Sequence, residues 1–359
     1  MKKIGIINSG GDCAGLNAVI SAVVKTGTPR GYEFIGFERG WEGLLDPLTY
    51  QELTLERVRG ISHLGGTILR TANKGRFAGK VGSGDMSKID PDILAMAKRN
   101  ADQLGLDGLI VIGGDGTLSA ATQLAKYGLK LVGVPKTIDN DLGATDKTFG
   151  FSTAVQVATD ALDKIHTTAT SHDRVFFVEC MGRNAGWISL FAGVAGSANA
   201  ILLPEFEFDL DHFLAYLRRR RELGKSSAIV VVSEGLRLGR HGQSHQAGAR
   251  SSEKVLGGAS ENLMRTIESL APEEFEMRHV VLGHTQRGGS PMSQDRILAK
   301  RYGVEAMLAY ERGETDVMIA SRAGRMITVP IVEAVDTLKL VTRDTYEYQA
   351  AKMLGTYIN

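Results

Sequence analysis

Residues 108–126 read GLIVIGGDGTLSAATQLAK. Gly108–Ile112 has the length and apolarity of a buried strand, GGDGT supplies a turn, and Leu118–Lys126 carries the apolar spacing of a helix. The same order recurs along the chain. Lys3–Asn8 reads as a strand before SGGD and a helix over Leu16–Lys25. Leu131–Val134 reads as a strand before the loop PKTIDNDLG and a helix over Ser152–Ile165. Val175–Cys180 leads into MGRNAG and a helix from Trp187, while strands over Ser227–Ser233 and Arg278–Leu282 end at Glu234 and at GHTQRGG. Glycine, at 43 residues, clusters where apolar runs end. This alternation predicts an α/β protein of two lobes, each a mainly parallel sheet flanked by helices. A chain of 359 residues also exceeds one ordinary core.

Composition narrows the function classes. Hydrophobic residues at 43% and charged residues at 23% fit a folded globular chain. A net charge of +1 gives no bulk basic field for nucleic acid or membrane. The Arg218–Arg221 run reads as a solvated helix end. Two cysteines, Cys13 and Cys180, make no disulfide framework, which points to a reducing cytoplasm. The opening MKKIGIIN lacks the pattern of a signal peptide, and no run of 18 apolar residues suggests a membrane span. Leu238–Ala259, rich in Gly, Ser, His and Gln, is expected to be a mobile loop. Its His241 and His245 lack a third ligand at metal spacing.

The polar motifs sit at expected strand C-termini, where ligand sites collect in open α/β sheets. Gly10-Gly11-Asp12 suits either a phosphate-binding turn or a plain strand–helix turn. Gly113-Gly114-Asp115-Gly116-Thr117 adds a carboxylate to such a turn. An Asp repels phosphate unless a divalent cation bridges them, so Asp115 is a Mg²⁺ ligand candidate as well as a candidate helix cap. In Thr137-Ile138-Asp139-Asn140-Asp141, either Asp could take a proton from an attacking hydroxyl. Arg183, in Met181-Gly182-Arg183, suits charge building on a transferring phosphoryl group. Arg174, Arg278, His284 and Arg287 form a scattered cationic set able to clamp a sugar phosphate, and Glu234 could accept from sugar hydroxyls.

SGGDCAGLNAVI, GGDGT, PKTIDND, MGRNAGW, VSEG and GHTQRGGSP stand in an order and spacing that resembles the 6-phosphofructokinase family. The likeness runs from Lys3 to beyond Arg296, and PKTIDND with GHTQRGG is its specific part. GGDGT alone also occurs in lipid and NAD kinases. The resemblance implies an ATP-dependent, Mg²⁺-assisted enzyme of glycolysis that phosphorylates fructose 6-phosphate at its 1-hydroxyl. It implies a donor-nucleotide lobe over 1–150 plus about 286–336 and a sugar-phosphate lobe over 151–285 plus about 337–359, with the active site in the cleft between them. Gly11 and Gly114–Thr117 would touch the donor phosphates, with Asp115 on Mg²⁺. Asp139 would be the proton acceptor, with Asp141, Arg183 and Lys136 beside it in the chemistry. Thr137, Ile138, Met181, Gly182, Arg183 and Glu234 would line the sugar site, and His284 and Arg287 would bind the 6-phosphate. Arg174 and Arg278 would reach in from a neighbouring subunit, implying a homotetramer or homodimer with shared sites.

The chain departs from the bacterial pattern. Asn73 stands where a donor-binding Arg is expected, leaving Lys74 or Arg76 to supply the charge. Lys136 replaces a Gly of the well-known ATP enzymes and is common among pyrophosphate users. Gly116 stands where pyrophosphate users carry an Asp, and it leaves room for an α-phosphate, so ATP is the expected donor and pyrophosphate the rival. The basic effector pocket is depleted: Ser21, His166, Leu223 and Ser227 leave only Lys25 and Lys225.

Overall fold

The computed structural model describes residues 2–72, 75–77, 88–239, 245–247 and 254–359. The chain divides into two compact units. The first comprises Met1–Ile138, Leu142–Ser152 and Arg287–Leu338; the second comprises Asp139–Asp141, Thr153–Gln286 and Lys339–Asn359.

Before the chain enters the body of the second unit it forms β1 (Lys2–Asn8), α1 (Leu16–Gly27), β2 (Tyr32–Phe37), β3 (Tyr50–Glu52), α2 (Pro91–Gln103), β4 (Leu106–Gly113), α3 (Asp115–Ala125), β5 (Leu131–Thr137) and β6 (Phe149–Gly150). Then follow α4 (Phe151–Ser171), β7 (Val175–Cys180), α5 (Trp187–Ala195), β8 (Ala200–Leu202), α6 (Leu210–Glu222), β9 (Ala228–Ser233), β10 (His245–Ala247), β11 (Lys254–Leu256), α7 (Ala259–Leu270) and β12 (Met277–Val281). The chain ends with α8 (Ser293–Glu311), β13 (Val317–Arg322), β14 (Arg325–Pro330), α9 (Ile331–Val335), α10 (Tyr346–Met353) and β15 (Tyr357–Ile358).

The sheet of the first unit runs β14-β13-β5-β4-β1-β2-β3, with β6 paired to β5. Its central pairs are parallel, and antiparallel β3 and β14 close its edges. Strand order reverses between β1 and β4, so the loops after these two strands border the crevice where doubly wound sheets take ligands. The sheet of the second unit, β12-β7-β9-β8-β15, is parallel throughout. β7 and β9 are buried over their whole length, as expected of central strands covered on both faces. Each unit has its own core. Phe37, Trp41, Leu44, Val111 and Leu118 pack in the first; Phe177, Leu202, Phe213, Val230 and Leu263 pack in the second. Each such side chain contributes roughly 1.5–3 kcal/mol on burial.

The α/β reading with parallel sheets holds, and several boundaries move: α4 runs on to Ser171 and β4 begins at Leu106. β5 continues through Pro135-Lys136-Thr137, which the sequence reading assigned to a loop. Pro135 is tolerated in this strand, where it lies opposite Gly113 of β4 in the parallel register. α3 opens at Asp115 instead of Leu118, so the end of GGDGT forms the first helical turn. Of the stretch expected as a mobile loop, residues 240–244 and 248–253, with His241, lie outside the described residues. His245–Ala247 pairs antiparallel with Lys254–Leu256, a short ladder that a Gly- and Ser-rich composition conceals. The arginine run occupies the end of α6, where Arg218 pairs with Glu274 at 2.8 Å and Arg220 donates to the Ser227 carbonyl. Among the described residues, no helix is long and apolar enough to cross a membrane.

Candidate active site

In the first unit, the turn after β1 meets the turn after β4. Gly10 has φ 84° and donates its N–H to the Ala72 carbonyl, while Thr71 Oγ1 donates to the Gly10 carbonyl at 2.6 Å. Two cations converge on the same backbone. Buried Lys136 donates from Nζ to the Gly11 carbonyl, and Arg287 Nη1 donates to the Asp12 carbonyl at 3.3 Å. A Cβ on Gly11 would stand 2.6 Å from Arg287 Nη1, and one on Gly10 would stand 3.3 Å from Lys136 Nζ and 3.4 Å from Thr117 Oγ1. Glycine at position 11 thus lets the Arg287 guanidinium lie against this backbone, and the turn stands under two positive charges. On the β4 side, a Cβ on Gly113 would collide with Thr117, and Asp115 stands half-buried in the first turn of α3. Gly114 and Gly116 flank that carboxylate and are also half-buried.

Thr137 and Ile138 complete the end of β5 in this unit. Thr148 Oγ1 donates to the Thr137 carbonyl at 2.8 Å, and Ile138 is buried. Arg76 turns elsewhere: it pairs with Glu42 at 3.1 Å and donates to the Asp46 carbonyl. Asn73 and Lys74 lie outside the described residues.

In the second unit, Asp139 is only 4% exposed, and its Oδ2 stands 4.0 Å from Arg183 Nε. Arg183 has φ 52° and follows Gly182 at φ 141°. A left-handed L-residue costs roughly 1–2 kcal/mol, so neighbours must hold it. Glu234 does so from the end of β9. Its Oε1 accepts the N–H groups of Gly182, at 3.2 Å, and Arg183, at 2.8 Å. Gly235 admits the close approach, since a Cβ there would lie 1.9 Å from the Arg183 carbonyl oxygen. Burial pushes the Glu234 carboxyl up to about 7; the Arg183 N–H opposes this and the nearby Asp139 charge adds to it. Asp141, also buried, accepts at its carbonyl from the Lys339 N–H. Met181 is half-buried, and His284 is exposed just beyond β12.

Arg174 and Arg278 are not brought to this group. They lie at the starts of β7 and β12, sharing Glu276 Oε1 at 2.6 and 3.1 Å. Met181, Gly182 and Arg183 follow the opposite end of β7, a six-residue strand, which spans about 20 Å at ~3.3 Å per residue.

Sequence reasoning missed Glu205, beyond β8. It accepts from Gly186 N–H at 2.8 Å and from Val341 N–H at 3.0 Å. The rule that picked out Glu234, a carboxylate just past a strand end, selects Glu205 equally well.

Two Gly-rich turns under converging cations, on a doubly wound sheet, define an α/β enzyme built to handle phosphates. The phosphofructokinase family model matches residues 3–310. An ATP-dependent 6-phosphofructokinase of Chloroflexus aurantiacus is 46% identical over 354 residues, covering 99% of this chain and 97% of that protein. A pyrophosphate–fructose 6-phosphate 1-phosphotransferase of Streptomyces coelicolor is 44% identical over 350 residues, covering 96% of this chain and 98% of that one. Among solved structures, phosphofructokinase from Saccharomyces cerevisiae aligns with TM-score 0.77 at 30% identity. The match covers 93% of this chain, which spans less than half of the yeast chain, 45%. The chain belongs to the phosphofructokinase family.

Proposed function

We propose that this chain is an ATP-dependent 6-phosphofructokinase, transferring the terminal phosphoryl group of ATP to the 1-hydroxyl of fructose 6-phosphate in cytoplasmic glycolysis. The observation that carries the reading is the buried Asp139 beside Arg183, on a loop whose N–H groups are held by Glu234. A carboxylate so placed can orient a hydroxyl and accept its proton, and a guanidinium next to it stabilises charge on the group in flight. Asp141 and Lys136 assist, the first by holding the acidic loop and the second by its charge near Gly10 and Gly11. Thr137, Ile138, Met181, Gly182 and Glu234 line the sugar side, and His284 and Arg287 take the 6-phosphate.

Gly11, Gly114, Gly116 and Thr117 serve the donor phosphates. Lys74 or Arg76 would supply the donor-side charge that Asn73 lacks, and Arg76 is engaged with Glu42. The half-buried Asp115 beside glycines fits a Mg²⁺ ligand, since a lone carboxylate in a phosphate turn calls for a cation. When bound, that ion neutralises donor phosphate charge.

Arg174 and Arg278, at the far end of their strands from Arg183, fit service to a neighbouring subunit in a homo-oligomer, a dimer or tetramer. Pyrophosphate is the second donor to weigh, because Lys136 and the Streptomyces relative both allow it. A donor panel at fixed fructose 6-phosphate and saturating Mg²⁺ decides. Turnover with ATP should exceed that with pyrophosphate; the reverse order overturns the donor assignment.

A further inference from the structure

We propose that Glu205, with the Lys339–Val341 segment it holds, is a positioning residue that sets Arg183 against Asp139. The inference deepens the reading above and rests on its roles for Arg183 and Asp139. Every contact invoked lies within the second unit.

The hexapeptide Met181–Gly186 leaves β7 with two successive residues in the left-handed region, and Arg183 keeps that conformation only where its surroundings over-determine it. The turn is closed by the Ala185 N–H donating to the Gly182 carbonyl at 2.9 Å. At its start Glu234 takes two N–H groups. At its end Glu205 Oε1 takes the N–H of Gly186, which caps α5. Glu205 Oε2 packs on the same glycine, where an added Cβ would approach it to 2.7 Å; it is buried and takes no hydrogen bond among the described residues. The loop is thus hung between two carboxylates. Burial pushes the Glu205 carboxyl up, and the Gly186 and Val341 donors pull it back.

Glu205 Oε1 also accepts from Val341 at 3.0 Å. Two residues earlier, the Lys339 N–H donates to the Asp141 carbonyl at 2.8 Å. The Lys339 carbonyl accepts from Trp187 Nε1 at 2.8 Å, and the Lys339 ammonium lies over that indole at 5.6 Å. One short segment therefore contacts the acidic loop on one side and the first residue of α5 on the other. A single carboxylate oxygen indexes both to each other. Without it, two N–H groups lose their acceptor together, and Arg183 and Asp141 lose a common reference.

The test is a double-mutant cycle on kcat with both substrates saturating, with thermal unfolding followed for each variant. Glu205→Ala should lower kcat about 10- to 100-fold and leave the KM for ATP within about twofold, while Glu205→Gln, which keeps an Oε1 acceptor, stays within about threefold of wild type. On an Arg183→Ala background, Glu205→Ala should cost less than about threefold more, because the two act through one another. A folded Glu205→Ala enzyme with wild-type kcat, or losses that simply multiply, overturns the proposal. If Glu205→Ala does not fold, Trp187→Phe removes the donor to the Lys339 carbonyl and shrinks the ring under its ammonium; it should lower kcat about three- to tenfold, again only while Arg183 is present. Full activity or a multiplicative loss there also counts against it. Wild-type kcat in Arg183→Ala alone would sink the assigned role of Arg183 and this inference with it, whereas a strong Arg183 effect with multiplicative losses sinks this inference only.

Discussion

Glu234 shows how one buried carboxyl can serve a loop at a cost to stability. Its pKa of about 7 lies above the ordinary 4.5, so the folded state holds a proton that the unfolded chain releases. The contribution is fully present below about pH 4.5 and is lost as pH rises through 7. Relative to wild type, Glu234→Gln should therefore gain stability between pH 5 and 8, by up to about 3 kcal/mol. Urea unfolding of both proteins at the two pH values measures it, and a gap that does not change with pH counts against the assignment. Asp139→Asn should lower kcat by ~10²–10⁴ with a much smaller change in sugar KM; steady-state kinetics within a few-fold of wild type would remove Asp139 from the base role. Asp139, Arg183 and Glu234 were legible because each follows an apolar run that can only be a strand. Glu205 was not, because the three-residue β8 ahead of it is too short to announce itself as a strand, so there was no strand end from which to look for a carboxylate.

Among the elements, α3 decides how the donor is read. Its first turn contains Asp115, Gly116 and Thr117, so residue 116 sits where a helix N-terminus would favour an anion. A second carboxylate there would repel the inner phosphate of a nucleotide. Gly116→Asp should cut kcat/KM for ATP by about 100-fold or more, the cost of roughly 3 kcal/mol of lost phosphate stabilisation, and should leave room for weak pyrophosphate turnover beside Lys136. Unchanged ATP kinetics in that variant would remove residue 116 from donor choice. Apolar runs that end at glycine turns made β1, β4, β7, β9 and β12 readable, and β5 was readable from its apolar run before Pro135. β2 escaped notice because its run is broken by exposed Glu33, although its other five residues are buried. α8 escaped because charged residues interleave its buried face of Leu298, Ala299, Tyr302, Ala306 and Met307.

For the whole molecule, Arg278 at the start of β12 and Arg183 past the end of β7 lie toward opposite ends of two paired strands. Arg278→Ala chains and Asp139→Ser chains, each nearly inactive alone, should regain part of the activity when mixed and allowed to exchange subunits. No recovery after verified exchange would mean that Arg278 does not serve a neighbour. The chain's path between its two units has a further consequence. It passes from one to the other between residues 138 and 139, 141 and 142, 152 and 153, 286 and 287, and 338 and 339. The first two breaks bracket Asp139–Asp141, and the fourth falls inside GHTQRGG. Gene recombination that trades one unit between relatives must therefore cut within the codons of the reactive motifs themselves. Such a family is expected to diversify by point substitution in place, and a chimera builder will find no silent seam.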